Sequence, residues 1–190
     1  MSTTSAPFGL QPSFHPSGEV RPAAGSVSVD YTTNIFQYAP VALVDGLLNL
    51  SAAGSTNRAI GVFLGVRYVD VNGRPVFSNK WVAQAGATEI VAWYTSDQLI
   101  EYQVQANATL TVEAVGEQYP WTVNNTTSGN LTTGLSNVAL DVSGVVTPPT
   151  TSQMRITGLT ESPTNAWGDA FPVVTVQLSQ HQNTADIAGY

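Results

Sequence analysis

Between residues 59 and 106, apolar and polar positions follow the period of strands more clearly than anywhere else in the chain. The run opens Ala59-Ile-Gly-Val-Phe-Leu-Gly-Val-Arg-Tyr-Val-Asp-Val71, breaks at Asn72-Gly73 and resumes as Arg-Pro-Val-Phe-Ser-Asn-Lys-Trp81. Asn-Gly between β-rich runs is a strong hairpin signal, because a type I′ turn needs positive φ at both central positions. The pattern therefore predicts a hairpin of strands 60–71 and 76–81. Pro75 has no amide hydrogen to give a ladder and belongs at a strand start or on an unpaired edge. Two further strands are expected at 88–95 and 99–106. In the latter, Ile100, Tyr102 and Val104 face one way and Glu101, Gln103 and Gln105 the other. Four consecutive strands with tight links imply an antiparallel core.

The rest of the chain extends this picture. Strands are expected at 27–31 and 40–44, with Asp45-Gly46 turning the chain into 47–50, and then at 109–115, 137–142, 153–159 and 173–178. Residues 116–134 turn polar after Tyr119-Pro120-Trp121 and read as an exposed excursion, a long hairpin or a loop. Thr147-Pro148-Pro149-Thr150 and residues 162–172 separate the last strands. Helical periodicity is hardly present. Many short strands at close spacing suggest an all-β fold, an antiparallel β-sandwich or barrel of jelly-roll-like form. Residues 1–26 differ: Pro7, Pro12, Pro16 and Pro22 stand among Ser, Gly and Ala, which rules out a helix and favours an extended course. They read as an extended N-terminal arm preceding a β domain of residues 27–190. Large apolar residues in such a tail cost solubility unless covered, so Phe8, Leu10 and Phe14 are candidate anchors on a neighbouring subunit.

Composition narrows the function. Charged residues make up 10% of the 190-residue chain, against a usual figure of about 25%. Lys80 is the single lysine. A surface of uncharged polar groups suits assembly, since few ionic side chains need desolvating when surfaces meet. A net charge of −7 argues against nucleic-acid binding. The N-terminus lacks the basic and apolar regions of a secretion signal, and no apolar run reaches the ~18 residues of a spanning helix, so neither export nor a membrane partner is expected. Without a signal peptide, the Asn-x-Ser/Thr triplets at Asn49, Asn107, Asn124, Asn125 and Asn130 read as a by-product of composition.

Little catalytic chemistry is legible. With no Cys and only His15 and His181 as imidazoles, neither a thiolate site nor a His-x-x-x-His metal site is available, and no cofactor is expected. No Gly-x-Ser-x-Gly elbow supports Ser-His-Asp catalysis. Asp97 and Glu101 have the residue types of a glycosidase pair, but a four-residue offset puts them at a turn and its following strand, where solvated carboxylates are expected. Trp81, Trp93, Tyr94, Tyr102, Tyr119, Trp121 and Trp167 could stack on sugars. Trp93 and Tyr94, however, are strand neighbours and point to opposite faces. Trp167, between Ala166 and Gly168-Asp169 in a loop, has the make-up of an interface anchor.

Gly-Val-Phe-Leu-Gly-Val-Arg-Tyr-Val-Asp-Val-Asn-Gly-Arg-Pro-Val-Phe-Ser-Asn-Lys-Trp resembles the central segment of small head proteins of tailed bacteriophages. In these a Gly-Val-Phe-x-Gly strand leads into Tyr-x-Asp, a turn and Phe-Ser-x-x-Trp. The opening Ala6-Pro7-Phe8-Gly9-Leu10-Gln11-Pro12 and the closing Asn165-Ala166-Trp167-Gly168-Asp169-Ala170-Phe171 are similar to the ends of the same proteins. The resemblance implies a capsid decoration or cement protein. Such a protein would be made in the bacterial host cytoplasm and carried on the virion exterior, with the major capsid protein and copies of itself, as a dimer or trimer, for partners. The alternative is a host-adhesion or carbohydrate-binding module carried on the virion, and no residue constellation supports an enzyme.

Overall fold

The computed structural model describes residues 2–54, 57–122, 129–144 and 152–184. Eleven strands fall in these residues: β1 (Gln11–Phe14), β2 (Pro22–Gly25), β3 (Pro40–Val44), β4 (Leu47–Leu50), β5 (Gly61–Val69), β6 (Pro75–Ser78), β7 (Thr88–Thr95), β8 (Glu101–Gln105), β9 (Gln118–Tyr119), β10 (Met154–Leu159) and β11 (Val173–Leu178). They form two antiparallel sheets. The first has the order β1-β8-β11-β10-β9, and the second β2-β7-β5-β3-β4 with β6 added to β5. This is the sandwich alternative of the all-β expectation. Both sheets keep open edges and neither closes into a barrel.

Alternation explains where the core lies. In β11, Val174, Val176 and Leu178 are buried while their neighbours are half-buried. They join Tyr102 and Val104 of β8 and Met154 and Ile156 of β10 in one hydrophobic cluster. A second cluster gathers Val41, Leu48, Ile60, Phe63, Val66, Trp81, Ala92 and Tyr94 behind the other sheet. β5 touches both, because Val62 and Leu64 look into the first cluster and Phe63 and Val66 into the second. Thr95 stitches the junction: its Oγ1 accepts the Val62 amide at 2.9 Å and lies 2.9 Å from the Tyr102 hydroxyl. Burial holds the Tyr102 phenol well above its ordinary range.

Several expectations need correction. Residues 2–26 follow an extended course but are no free arm: β1 pairs with β8 in the first sheet and β2 with β7 in the second. Pro12 and Pro22 fit there because both strands are sheet edges, where a missing amide hydrogen costs least. Ahead of β1 the chain lies on its own fold, as Gln105 accepts the Ala6 amide at 2.7 Å and donates to the Thr4 carbonyl at 3.0 Å. The β7–β8 link changes sheets, so the four consecutive strands are shared between the two.

The turns are distributed differently too. Asp45 (φ 51°) and Gly46 (φ 79°) both take positive φ between Val44 and Leu47, which makes this two-residue connection the type I′ turn. Asn72-Gly73 does form a hairpin tip, but only Gly73 has positive φ, at 76°. Gly73 N–H donates to Asp70 O and Asp70 N–H to Arg74 O, a three-residue loop with a type I turn followed by a bulge. The Asp70 carboxylate selects it by accepting from Asn72 N–H at 2.9 Å and Arg74 N–H at 2.8 Å.

No strand forms at 27–31, 109–115 or 137–142. In 109–115 a short 3-10 turn spans Val112–Ala114 and leaves Val112 61% exposed. In 137–142 isolated bridges join Leu140 to Ala106 and Trp121. The excursion at 116–134 is only partly exposed, because Tyr119 and Trp121 are buried in the first cluster. Residues 123–128 of that excursion, with Asn124 and Asn125, and the Thr147–Thr150 separator lie outside the described residues.

Candidate interaction surface

The four anchor residues do not form one group. Leu10 is wholly buried in the first cluster and cannot reach a neighbouring subunit. The alternation that places Gln11 outward directs Leu10 inward. Phe8 is half-buried. Phe14 is 53% exposed and lies opposite Glu101 across the β1–β8 pairing. Trp167 is half-buried and rests against the first cluster, so it is no freely projecting side chain. Its loop is fixed from both sides. Asn165 donates to the Thr160 and Val173 carbonyls at 2.8 and 2.7 Å and accepts from Val173 N–H. The Asp169 carboxylate accepts the Ser2 amide at 2.8 Å and the Ala166 amide at 3.0 Å. These two donors hold its carboxyl below the usual range, the Ser2 hydrogen bond being the larger cause.

Phe8 and Phe14 border the outer face of the first sheet. Directly opposed residues project from the same face, so the ladder registers read across it as rows. One row is Gln11, Gln103 and Thr175, and the next is Phe14, Glu101, Gln177 and Arg155. The first row is uncharged, and the second carries one charge of each sign with Gln177 between them. A shallow depression of about 360 Å³ opens on this face, lined by Phe8, Gln11, Gln103, Ser162, Thr164 and Asn165 among others. Another, of about 340 Å³, lies between Tyr31 and Gln84. On the outer side of the second sheet, Phe77 of β6 is 72% exposed beside Arg67, and Val71 at the hairpin tip is 67% exposed. Sequence reading passed over both. Period-two alternation of Arg67, Val69 and Val71 against the buried Val66 and Tyr68 was the signal available.

The aromatic platform dissolves on folding. Trp81, Trp121 and Tyr102 are wholly buried and Tyr94 and Tyr119 nearly so, leaving Trp93, on the opposite side of β7 from Tyr94, and Trp167 half-buried.

The polar candidates also find structural employment. Asp97 Oδ1 accepts from Leu99 N–H at 2.8 Å, which holds its carboxyl below the usual value, and its Oδ2 lies 3.3 Å from His15 Nε2. Ser17 Oγ is 2.6 Å from His15 Nδ1, but that nitrogen also accepts from Ser17 N–H, a local two-residue turn. The array lacks the sequence-distant, preorganised nucleophile of a hydrolytic triad. Among the described residues, no group of three or more His, Asp or Glu side chains could hold a metal ion, and no helix is long and apolar enough to cross a membrane.

No family model, curated protein or solved structure matches this chain.

Proposed function

We propose that the protein is a virion structural protein that binds the outer surface of a phage capsid and stabilises the shell. The observation that carries this reading is the outer face of the first sheet. It is an ordered, mostly uncharged polar surface bordered by Phe14 and Phe8, on a chain whose three resemblance segments lie in the β5–β6 hairpin, the lead into β1 and the Trp167 loop. Uncharged amides and hydroxyls pair across an interface without the desolvation cost of ions, and an exposed phenyl ring supplies apolar area. A protein that binds only the assembled lattice stabilises it by mass action, repeated at every equivalent site.

The test is made on particles. A cement protein approaches the major capsid protein in copy number on a stained gel. Particles stripped of it break at lower temperature, and adding back the purified protein restores them. Stripped particles as stable as complete ones would reject the reading. A second reading, a carbohydrate-binding adhesion module, is favoured by one observation: the depression at Phe8 is walled by hydroxyls, carboxamides and a ring, the groups that recognise neutral sugars. Low copy number together with retention on immobilised host glycans would support that reading instead.

A further inference from the structure

Beyond β11, residues 179–184 stay on the fold and run from the first sheet to the second as a strap. His181 forms a parallel bridge with Ala59, where Ala59 N–H donates to Gln180 O at 3.2 Å and Gln182 N–H to Ala59 O at 2.9 Å. The Gln182 carboxamide then occupies the edge of β3 where β5 has stopped. Its Oε1 accepts from Leu43 N–H at 2.7 Å and its Nε2 donates to Leu43 O at 3.0 Å. Thr184 O accepts from Arg58 at 3.1 Å, and Asn183 O from Gln98 at 3.0 Å.

At the centre of this strap sits an imidazole 1% exposed to solvent. His181 Nδ1 accepts from Asn183 N–H at 3.1 Å. An amide can only donate, so Nδ1 carries no proton and the neutral ring is protonated at Nε2, which makes no hydrogen bond of normal geometry and has the Ile60 backbone as its neighbouring polar group. A second proton has one place to go, Nδ1. There it would point at the Asn183 N–H, replace an accepted hydrogen bond by two opposed donors, and leave a cation out of reach of water. Of the titratable and charged groups nearby, Asp97 from the β7–β8 turn acts on this ring, His15 from the β1–β2 connection pairs with Asp97, and Arg58 beside Ala59 bonds Thr184 O of the strap. Asp97 is already engaged by Leu99 N–H and stands 3.3 Å from His15, and its charge also reaches the His181 ring.

We infer that His181 makes residues 179–184 an acid-released latch: uptake of one proton at its Nδ1 opens the strap and uncovers the backbone edge of β3 at Leu43. The direction of the linkage follows from the ring's environment. Burial holds the His181 pKa below the ordinary value of 6.5, the Ile60 backbone and the Asp97 charge opposing it less strongly. The opened state therefore binds a proton more readily than the closed one, and the latch loses stability as pH falls below about 6.5. Asp97 remains ionised throughout that range. Opening leaves the Leu43 N–H and C=O without partners, and such an edge accepts another strand.

Amide hydrogen exchange on the full chain tests this, with protection factors corrected for the intrinsic pH dependence of exchange. Between pH 7.5 and 5.0, protection at Leu43, Ala59 and Gln182 should fall by about an order of magnitude while Val174 and Val176 of β11 hold theirs. His181→Phe keeps a neutral ring and should abolish the fall, whereas His15→Gln should preserve it. An equal loss in His181→Phe, a loss that disappears in His15→Gln, or no loss in the natural protein would each overturn the latch. Should His181→Phe not fold, the His181 Cε1–H resonance of the natural protein must titrate with the same midpoint as the Leu43 and Gln182 amide signals. Different midpoints would overturn it equally.

Discussion

Replacing Leu10 and Phe14 by alanine, one at a time, separates a residue that builds the fold from one that stands on its surface. Leu10 is wholly buried, packed in the first cluster, and flanked by backbone that leaves little room to collapse: the Gly9 amide bonds Val138 O and the Leu10 amide bonds Tyr38 O at 2.9 Å. A Cβ on Gly9 would come 2.6 Å from that same Tyr38 oxygen. Leu10→Ala should therefore cost about 3–5 kcal/mol, transfer and cavity together, out of a total stability of about 5–15 kcal/mol. For a domain of this size that is a fall of roughly 6–20 °C in Tm. Phe14 is 53% exposed, and its removal should stay within about 0.5 kcal/mol. The assay is a urea titration followed by Trp fluorescence, with Trp81 and Trp121 as buried reporters. A Leu10→Ala midpoint indistinguishable from the natural protein would refute the packing of the N-terminal segment. On particles the order should reverse at temperatures where both variants are folded, Phe14→Ala weakening binding and Leu10→Ala sparing it. Truncation at Gly25 removes β1, most of β2 and Leu10, and should unfold the domain rather than yield a folded, weakly binding one.

Three further outcomes follow from specific contacts. Thr95→Val strands both the Val62 amide and the Tyr102 hydroxyl and should cost about 2–3 kcal/mol in chemical denaturation, against about 1 kcal/mol for Tyr102→Phe; equal costs would mean that Thr95 does not serve both partners. At the hairpin tip, Gly73→Val should cost about 1–2 kcal/mol through its positive φ alone, since a Cβ there meets nothing within 4 Å, and Gly73→Asn clearly less; identical melting temperatures for the two variants would exclude the left-handed conformation. The Asp169 carboxyl is held below its usual 3.8, so its contribution is present above that pH and lost as pH falls through its folded value. Asp169→Asn should then be less stable than the natural protein at pH 7 and converge with it in acid, and a gap unchanged down to pH 2.5 would remove the Ser2 and Ala166 hydrogen bonds from the account.

What was legible in the sequence was what depends on neighbours. Strands 88–95 and 173–178 coincide with β7 and β11, because runs rich in β-branched and aromatic residues, cleanly alternating in β11, favour strands. The Asn72-Gly73 hairpin was found in the right place with the wrong turn, since the deciding group, the Asp70 carboxylate, lies outside the dipeptide. In 109–115 the buried pair is Leu110 and Ala114, four residues apart, while Val112 is exposed. The apolar letters fitted period two but the burial does not. The N-terminal segment misled for a different reason: prolines that forbid a central strand are tolerated in β1 and β2 because those strands are edges, a property of topology. The meeting of His15, Asp97 and His181 was invisible, because ladder register and the strap bring them together across most of the chain's length and no spacing rule applies.

The N-terminus changes how any partner would be held. A disordered arm that folds on its target loses backbone freedom worth about 1–2 kcal/mol per residue at the moment of binding, which consumes much of what three apolar anchors provide. Here residues 2–26 are ordered by the chain's own sheets, and Leu10 has already been used in doing so. Phe14, Gln103 and Thr175 are presented on a paired ladder with their positions set before contact. Preorganisation leaves more of each contact's energy for affinity, so a small neutral face can suffice where a tail would need a long one. Such a face has one opposite-charge pair to screen, Glu101 and Arg155 separated by Gln177. If this face meets the shell, reattachment to stripped particles should therefore proceed as well in 1 M salt as in 0.1 M. Reattachment that vanished in high salt would move the contact to the charged surface around Arg67 and Glu89, which pair at 3.3 Å on the other sheet.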